Sequence, residues 1–215
     1  MNYAQRVCDD TPAGPANQPL TCGTRLSHPK LGYNDGMNKS CNIFLVGLMG
    51  AGKTTIGRLL ARHRHLEFVD SDQEIEVRTG VRISTIFELE GESGFRAREE
   101  AILGELVQRR GIVLATGGGA ILSPLTRQRL RQQGVVVYLR GSVDQLWHRT
   151  RHDRHRPLLK TEDPKARLQE LFETRDPLYR EVAHLIVDTA QQSPQRLICQ
   201  LELELDAHVL AHPPC

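Results

Sequence analysis

The sequence predicts an α/β fold in which a five-stranded parallel sheet is covered by helices on both faces. From Cys41 onward, short apolar runs rich in Val, Ile and Leu alternate with longer stretches of helical period. These runs lack the polar alternation of half-exposed strands, which is typical of strands buried on both faces of a parallel sheet. Parallel neighbours need crossover connections, so the intervening stretches are expected to form helices above and below the sheet.

Local signals place the elements along the chain. The candidate strands, in chain order, are residues 42–46, 66–70, 112–115, 135–139 and 184–187. Thr85 and Glu88 have the spacing of a capping box, which predicts the start of a helix. Ser123 and Ser193 each precede a proline, and Ser-Pro is suited to the cap and first turn of a helix.

Composition indicates a single domain in a reducing compartment. The chain has 215 residues with 39% hydrophobic content, enough for one good-sized core. Its five cysteines are widely spread without a Cys-x-x-Cys pair, which favours reduced thiols and a cytoplasmic location. A net charge of +2 is too small to indicate nucleic-acid binding. The sequence shows no membrane span or secretory signal. We expect a monomer without nucleic-acid or membrane partners.

The chain is expected to have one folded domain between two less ordered ends. Residues 1–40 are rich in Pro, Gly, Asn, Ser and Thr, which predicts a disordered extension. Met37 lies at its edge, so translation starting there is an open alternative. The folded domain is expected at 41–207, and residues 208–215 are expected to form a short tail.

A phosphate-binding loop (P-loop) is predicted after the first strand. Gly47, Gly52, Lys53 and Thr54 form the pattern Gly-x-x-x-x-Gly-Lys-Thr between an apolar strand and a helix. Glycines let backbone N–H groups turn toward anionic oxygens, and the helix N-terminus attracts them. Lys53 is expected to reach the β- and γ-phosphates and Thr54 to ligate Mg²⁺. The residues expected to contact a nucleotide are Gly50, Ala51, Gly52, Lys53, Thr54 and Thr55.

Two carboxylates, Asp70 and Asp72, end the second strand at the edge where open α/β sheets bind ligands. Alternation along an extended segment predicts that both point to the same side. Asp70 is a candidate Mg²⁺ ligand, directly or through water, and Asp72 a candidate to orient an acceptor hydroxyl or accept its proton. The alternative is that one of them caps a helix starting at Gln73.

A helix predicted over residues 94–109 carries Arg96 and Glu99 three positions apart. They share a face and can pair, which would hold the guanidinium ready to bind a carboxylate, although an ordinary surface ion pair is the alternative. The third strand ends in a glycine triplet at 117–119, where bare backbone can contact a small ligand. An ordinary flexible turn is the alternative there.

Cationic residues follow the fourth strand. Residues 149–156 contain four arginines and end at Pro157, which predicts a mobile lid, about 149–160, that closes over phosphates. A solvated charge run is the alternative. The histidines of this segment do not indicate a metal site, because neighbouring arginines repel a cation. A further arginine, Arg175, lies near the end of a helix that Pro177 is expected to interrupt or kink.

Together and in order, these motifs resemble those of the shikimate kinase family. The resemblance covers residues 38–198 and rests on GLMGAGKTTIGRLLA, FVDSDQEIE, FRAREE, TGGGAI, RPLL and TRDPLY. It implies the three-layer P-loop kinase fold, with ATP as co-substrate and Mg²⁺. It also implies transfer of the γ-phosphoryl group to the 3-hydroxyl of shikimate, a step of chorismate and aromatic amino-acid biosynthesis.

The resemblance implies a role for each matching residue on the substrate side. Arg96 and Arg175 contact the substrate, Glu99 orients the substrate arginine, and Asp72 binds the acceptor hydroxyls. The backbone contacts of the family's triple glycine fall on Gly117, Gly118 and Gly119. A small acid with one carboxylate and several hydroxyls suits arginines at one end and a carboxylate with backbone groups at the other.

On the nucleotide side, the resemblance implies that Arg149 packs on adenine and that Arg156 is the lid arginine that reaches the phosphates. Lys53, Asp72 and Arg156 are then the catalytic residues, and Thr54 and Asp70 the metal-associated ones.

Other functions stay open at this point. A kinase for another small acceptor, such as gluconate or a nucleoside monophosphate, is the nearest alternative, although nothing in the sequence suggests a base-binding pocket. A non-catalytic nucleotide-binding module would not need Lys53, Asp72 and Arg156 together. A nucleic-acid-binding protein using the arginine-rich segment would show an affinity that falls steeply with salt.

Overall fold

The computed structural model describes residues 41–153, 157–159, 161–189 and 193–212. The expectation of disorder for residues 1–40 therefore falls outside the described residues. The strands are β1 (Asn42–Val46), β2 (Glu67–Asp70), β3 (Ile112–Ala115), β4 (Gly134–Arg140) and β5 (Leu185–Asp188). The helices are α1 (Lys53–Arg64), α2 (Ser71–Thr79), α3 (Ile83–Leu106), α4 (Pro124–Gln133), α5 (Val143–Thr150), α6 (Pro164–Val182) and α7 (Pro194–Ala211).

The five strands form one parallel sheet in the order β2-β3-β1-β4-β5. Every residue of β1 and β3 is buried, as are the five central residues of β4. The edge strand β5 is more open, with Ile186 exposed. The predicted α/β class and the predicted parallel sheet are confirmed. The predicted bounds of β1 and β3 match. Those of β2 differ by one residue at one end, and those of β4 and β5 by one residue at both ends.

Helices cover both faces of the sheet and complete a three-layer architecture. Helix α1 packs against β1, β2 and β3 and against α7, while α4 and α6 pack against each other and against β4. Parallel strands joined by crossover helices give this arrangement because each crossover must return over one face. None of the helices in the described part of the chain combines the length and apolarity that a membrane crossing requires.

The two predicted Ser-Pro helix starts are confirmed. Ser123 caps α4 by accepting a hydrogen bond from the Thr126 N–H, and Ser193 caps α7 in the same way. Helix α7 ends at Ala211, so the domain boundary expected at residue 207 lies inside this helix.

The capping box predicted at Thr85 and Glu88 is wrong, because α3 begins at Ile83, before both residues. A carboxylate from the preceding helix explains this start: the Ile83 N–H donates to Glu76 Oε1 at 2.9 Å. A donor that the first turn leaves unpaired is thus satisfied from outside the helix. The capping box that the structure contains lies at Ser142 and Gln145.

Two helices differ from the predicted geometry. Helix α3 is interrupted at Gly91 (φ 70°, ψ −175°), and helical geometry resumes before Gly94, where the prediction placed the start. Helix α6 continues through Pro177, so the expected interruption is absent from this described helix. Buried side chains on both sides of the proline, Arg175 and Tyr179, anchor α6, and this packing offsets the hydrogen bond that proline cannot make.

The amino-terminal edge of the sheet is held by one buried amide. Asn42 Nδ2 donates to the Arg109 carbonyl at 2.6 Å and to the Gln133 carbonyl at 3.3 Å, and Oδ1 accepts from the Ile112 N–H at 3.2 Å. These partners lie at the entries to β3 and β4, so Asn42 joins the starts of three neighbouring strands.

We expect the Asn42→Ala variant to lose about 2–3 kcal/mol of unfolding free energy, because buried backbone groups lose their partners. Denaturant unfolding measures this loss. The matched control is Gln132→Ala, which removes an exposed amide and should change stability by no more than about 0.5 kcal/mol. Equal stabilities of the two variants would show that Asn42 does not join the strands.

Candidate active site

One cleft of about 740 Å³ lies at the carboxyl edge of the sheet, where the loops after β1, β2 and β3 meet. Most of the predicted site residues line it. They are Gly50, Gly52, Lys53, Thr54, Thr55, Asp70, Asp72, Arg96, Glu99, Gly117, Gly118, Gly119, Arg149 and Arg175. Ala51 is buried and is not among the lining residues, and the predicted Arg156 falls outside the described residues.

The P-loop connects β1 to α1 and lines the part of the cleft where a nucleotide was predicted. Gly50 (φ 79°) and Gly52 (φ 92°) adopt left-handed backbone conformations that other residues rarely take. Lys53 Nζ donates to the Gly47 carbonyl at 2.7 Å and to the Leu48 carbonyl at 3.0 Å, which holds the ammonium group at the loop. Within the described residues no side chain caps α1, so its first N–H groups are available to an anion.

Asp70 and Thr54 meet beside the P-loop. Thr54 Oγ1 donates to Asp70 Oδ2 at 2.9 Å, and Asp70 Oδ1 accepts from the N–H groups of Asp72 (3.1 Å) and Gln73 (3.4 Å). Asp70 is therefore the N-cap of α2, which begins at Ser71 and not at the predicted Gln73.

Asp72 lies in the first turn of α2, so the extended-chain alternation that predicted its direction does not apply. The helix begins earlier because Asp70 satisfies its first donors. Asp70 and Asp72 nevertheless both line the cleft.

Arg96 is held by two carboxylates of α3. Nη1 donates to Glu99 Oε2 at 2.6 Å and Nη2 donates to Glu92 Oε1 at 2.9 Å. The side chain of Glu99 is only 3% exposed, so the predicted pair is not an ordinary surface ion pair. Burial raises the pKa of the Glu99 carboxyl, and the Arg96 guanidinium opposes this rise.

The glycine triplet fits closely between charged side chains. The Gly117 N–H donates to Ser71 Oγ at 2.8 Å. A Cβ at Gly117 would collide with the Glu99 carboxylate and would lie 2.7 Å from Asp72 Oδ1, and a Cβ at Gly119 would collide with the Arg96 guanidinium. The absence of side chains in the triplet therefore lets these three charged groups approach its backbone.

Helix α6 supplies two donors to one carbonyl of the triplet. Arg175 Nη1 donates to the Gly118 carbonyl at 3.2 Å, and the Tyr179 hydroxyl donates to the same oxygen at 2.5 Å. Burial lowers the pKa of the Arg175 guanidinium, and the charge of Arg96 lowers it further. The ring of Tyr179 is buried and stacks on Tyr138 with centroids 4.9 Å apart.

Arg149 joins three parts of the chain beside the P-loop. Nη1 donates to the Gly50 carbonyl at 3.1 Å, and Nη2 donates to the Thr189 carbonyl at 3.1 Å. The end of α5 is thereby attached to the P-loop and to the segment that follows β5.

Sequence reasoning missed several residues of the site. Ser71 and Tyr179 hold the glycine triplet, and the rings of Phe87 and Phe95 contact each other at the cleft, tilted by 35° with centroids 4.8 Å apart. Tyr179 lies four positions after Arg175 on the same helix, and this spacing is the one signal that could have indicated a shared face. The apolar residues could not be distinguished from core residues by their pattern.

Comparisons with known proteins show which family the chain belongs to. The model of the shikimate kinase family matches residues 49–205. A shikimate kinase from Thiobacillus denitrificans is 64% identical over 157 residues, which are 73% of this chain and 86% of that protein. A shikimate kinase from Nitrosospira multiformis is 60% identical over 164 residues, which are 76% of this chain and 84% of that protein.

Solved structures give the same result. The structure of shikimate kinase from Acinetobacter baumannii in complex with shikimate is 50% identical, with a TM-score of 0.77 over 80% of this chain and 96% of that one. A gluconokinase from Sinorhizobium meliloti is 20% identical with a TM-score of 0.52, over 80% of this chain and 98% of that one, and shows a shared fold only. The family model, the identity to these relatives and the cleft agree, and the chain belongs to the shikimate kinase family.

Proposed function

We propose that this chain phosphorylates the 3-hydroxyl of shikimate with ATP in the cleft described above. Membership in the shikimate kinase family supports the reaction and ATP as co-substrate. The observation that carries the assignment of residues is that Lys53, Arg96 and Arg175 all line a single cleft. Donor and acceptor sites on one sheet edge allow direct transfer between bound substrates.

Lys53, Thr54 and the backbone of the P-loop bind the ATP phosphates in this proposal, and Arg149 packs on adenine. Lys53 offsets negative charge on the transferring group. The role of Arg156 toward the phosphates rests on the family resemblance, since this residue falls outside the described ones.

The donor set fits Mg²⁺. Thr54 Oγ1 and Asp70 Oδ2 lie 2.9 Å apart beside the P-loop. Across the described ranges, no group of three or more His, Cys, Asp or Glu side chains could hold a metal by itself. Mg²⁺ commonly binds through one or two protein oxygens together with substrate phosphates and water, which matches this arrangement. When bound, Mg²⁺ would neutralise charge on the phosphates.

Arg96 and Arg175 bind the carboxylate of shikimate in this proposal, since paired guanidinium groups suit a planar anion. Asp72 orients the acceptor hydroxyl and takes its proton. Glu99 fixes Arg96 through Oε2, while Glu99 Oε1 has no hydrogen-bond partner within the described residues and is available to a substrate hydroxyl. Gly117, Gly118 and Gly119 contact the substrate through their backbone.

Transfer by this site requires positioning and charge stabilisation without a covalent enzyme intermediate.

We also propose that the protein works as a cytoplasmic monomer without nucleic-acid or membrane partners. The wide spacing of the five cysteines, without a Cys-x-x-Cys pair, supports a reducing compartment.

One assay tests the function. Purified protein is given ATP and Mg²⁺ with shikimate, gluconate or AMP, and release of ADP is measured. We expect ADP release with shikimate and its loss when EDTA removes the metal. ADP release with gluconate or AMP at an equal or higher kcat/KM would contradict the assignment of shikimate.

Substitutions test the role of Lys53 separately from the roles of Arg96 and Arg175. We expect Lys53→Ala to lower kcat by about 10²-fold or more, because a cation that stabilises the transferring group is lost. Arg96→Ala and Arg175→Ala should mainly raise the KM for shikimate, by about tenfold or more, since each removes one charge-assisted partner of the carboxylate.

Steady-state kinetics with each substrate measure these effects. The control is Arg98→Ala, because Arg98 lies on the same helix as Arg96 but pairs with Glu90 at 2.7 Å, away from the cleft. Unchanged shikimate affinity in both the Arg96 and the Arg175 variants would remove the proposed carboxylate site.

Tyr179→Phe should raise the KM for shikimate by about threefold to tenfold, because Gly118 loses a hydrogen bond that fixes the triplet. The KM for ATP should stay unchanged. Tyr138→Phe is the matched control: it removes a buried hydroxyl from the stacked ring, and that hydroxyl bonds Asp176 rather than the triplet. Equal shikimate KM values in the two variants would show that the Tyr179 hydroxyl acts only on stability.

A further inference from the structure

Both donating edges of the Arg96 guanidinium are occupied by carboxylates of the protein. Glu99 Oε2 accepts from Nη1 at 2.6 Å. Glu92 Oε1 accepts from Nη2 at 2.9 Å and from Nε at 3.3 Å. The Nε–Nη2 edge is one of the two edges that a carboxylate can bind through two parallel hydrogen bonds. Glu92 therefore occupies one of the two edges of Arg96 through which a substrate carboxylate could bind.

The two carboxylates differ in how firmly they are held. The side chain of Glu99 is 3% exposed, whereas that of Glu92 is 46% exposed. Glu92 also follows directly after Gly91, the residue at which helical geometry is interrupted in α3. An exposed carboxylate can move into water at little cost, while a buried one cannot. Glu92 is thus the partner of Arg96 that can be exchanged.

The charge of Glu92 acts on both arginines of the proposed carboxylate site. Burial lowers the pKa of Arg175 and the neighbouring Arg96 lowers it further, whereas Glu92 raises it. Glu92 also raises the pKa of Arg96, together with Glu99 and against the effect of burial. One negative charge beside the buried guanidinium group of Arg175 and the partly buried one of Arg96 reduces their mutual repulsion. A bound carboxylate would have the same electrostatic effect.

We propose that Glu92 is a positioning residue that competes with the substrate carboxylate for Arg96, so that shikimate binds by exchanging one carboxylate for another. This inference rests on the proposed function, in which Arg96 and Arg175 bind the carboxylate of shikimate. Glu92 keeps Arg96 ordered and aimed into the cleft, and the exchange lowers the affinity for substrate, because the gain from the new ion pair is offset by loss of the old one.

The test compares shikimate binding to the wild-type protein and to the Glu92→Gln variant, which keeps the size of the side chain and removes its charge. Isothermal titration calorimetry without ATP measures the Kd for shikimate. We expect Kd to fall by about threefold to fivefold in the variant, since a half-exposed ion pair contributes little. The matched control is Glu90→Gln, which removes an exposed carboxylate that pairs with Arg98 on the same helix and should leave Kd unchanged.

Salt dependence gives a second readout that a purely structural role would not change. Binding to the wild-type protein exchanges ion pairs, whereas binding to the Glu92→Gln variant forms a net new one. Raising the salt concentration should therefore weaken shikimate binding more in the variant than in the wild type. A variant that binds shikimate more weakly than the wild type, or equally well, would overturn the proposal.

The failure of this inference is distinguishable from the failure of the proposed function. If Arg96→Ala and Arg175→Ala weaken shikimate binding while Glu92→Gln does not strengthen it, the carboxylate site stands and the competition is wrong. If the two arginine variants bind shikimate as well as the wild type, the proposed carboxylate site itself is wrong.

Discussion

The parallel pairing of β1 with β3 is the constraint on which the site depends. The register pairs Leu45 with Ala115, and both the N–H and the hydroxyl of Thr116 donate to the Leu45 carbonyl at 3.1 Å. This pairing places the P-loop and the glycine triplet side by side at the ends of two buried strands. A shift of one residue in this register would move every side chain of a strand to the other face. The site therefore depends on the same pairing as the hydrophobic core.

Burial makes the charged side chains around the glycine triplet depend strongly on one another. Glu99 and Arg175 are both almost fully buried, and burial acts against the charged form of each. Arg96 opposes this effect on Glu99, and the Gly118 carbonyl accepts a hydrogen bond from Arg175. Removing one of these charged side chains leaves the charge of its buried partner uncompensated. This costs more unfolding free energy than the lost contact alone. The charged side chains around the glycine triplet thus form a connected group and not a collection of independent contacts.

The sequence predicted the architecture and most of the cleft because both follow from local patterns. Apolar runs predicted the strands to within one residue at each end, and the P-loop pattern predicted a loop between β1 and α1 that lines the cleft. Contacts between different helices, strands and loops could not be predicted in the same way. The start of α3 depends on Glu76 of the preceding helix, and the passage of α6 through Pro177 depends on packing around Arg175 and Tyr179. The Tyr179 hydroxyl bonds a carbonyl 61 positions away, a contact that no local pattern contains.

The bridge that Arg149 makes between Gly50 and Thr189 has a consequence for folding. Its partners are 99 and 40 positions away along the chain, so the bridge is complete only when the first and last strands have both joined the sheet. Contacts of such long range form late, because the intervening chain must first lose its conformational freedom. The contacts of Arg149 would therefore be among the last to form in a nascent chain, and a ligand that requires them would stabilise only the assembled fold.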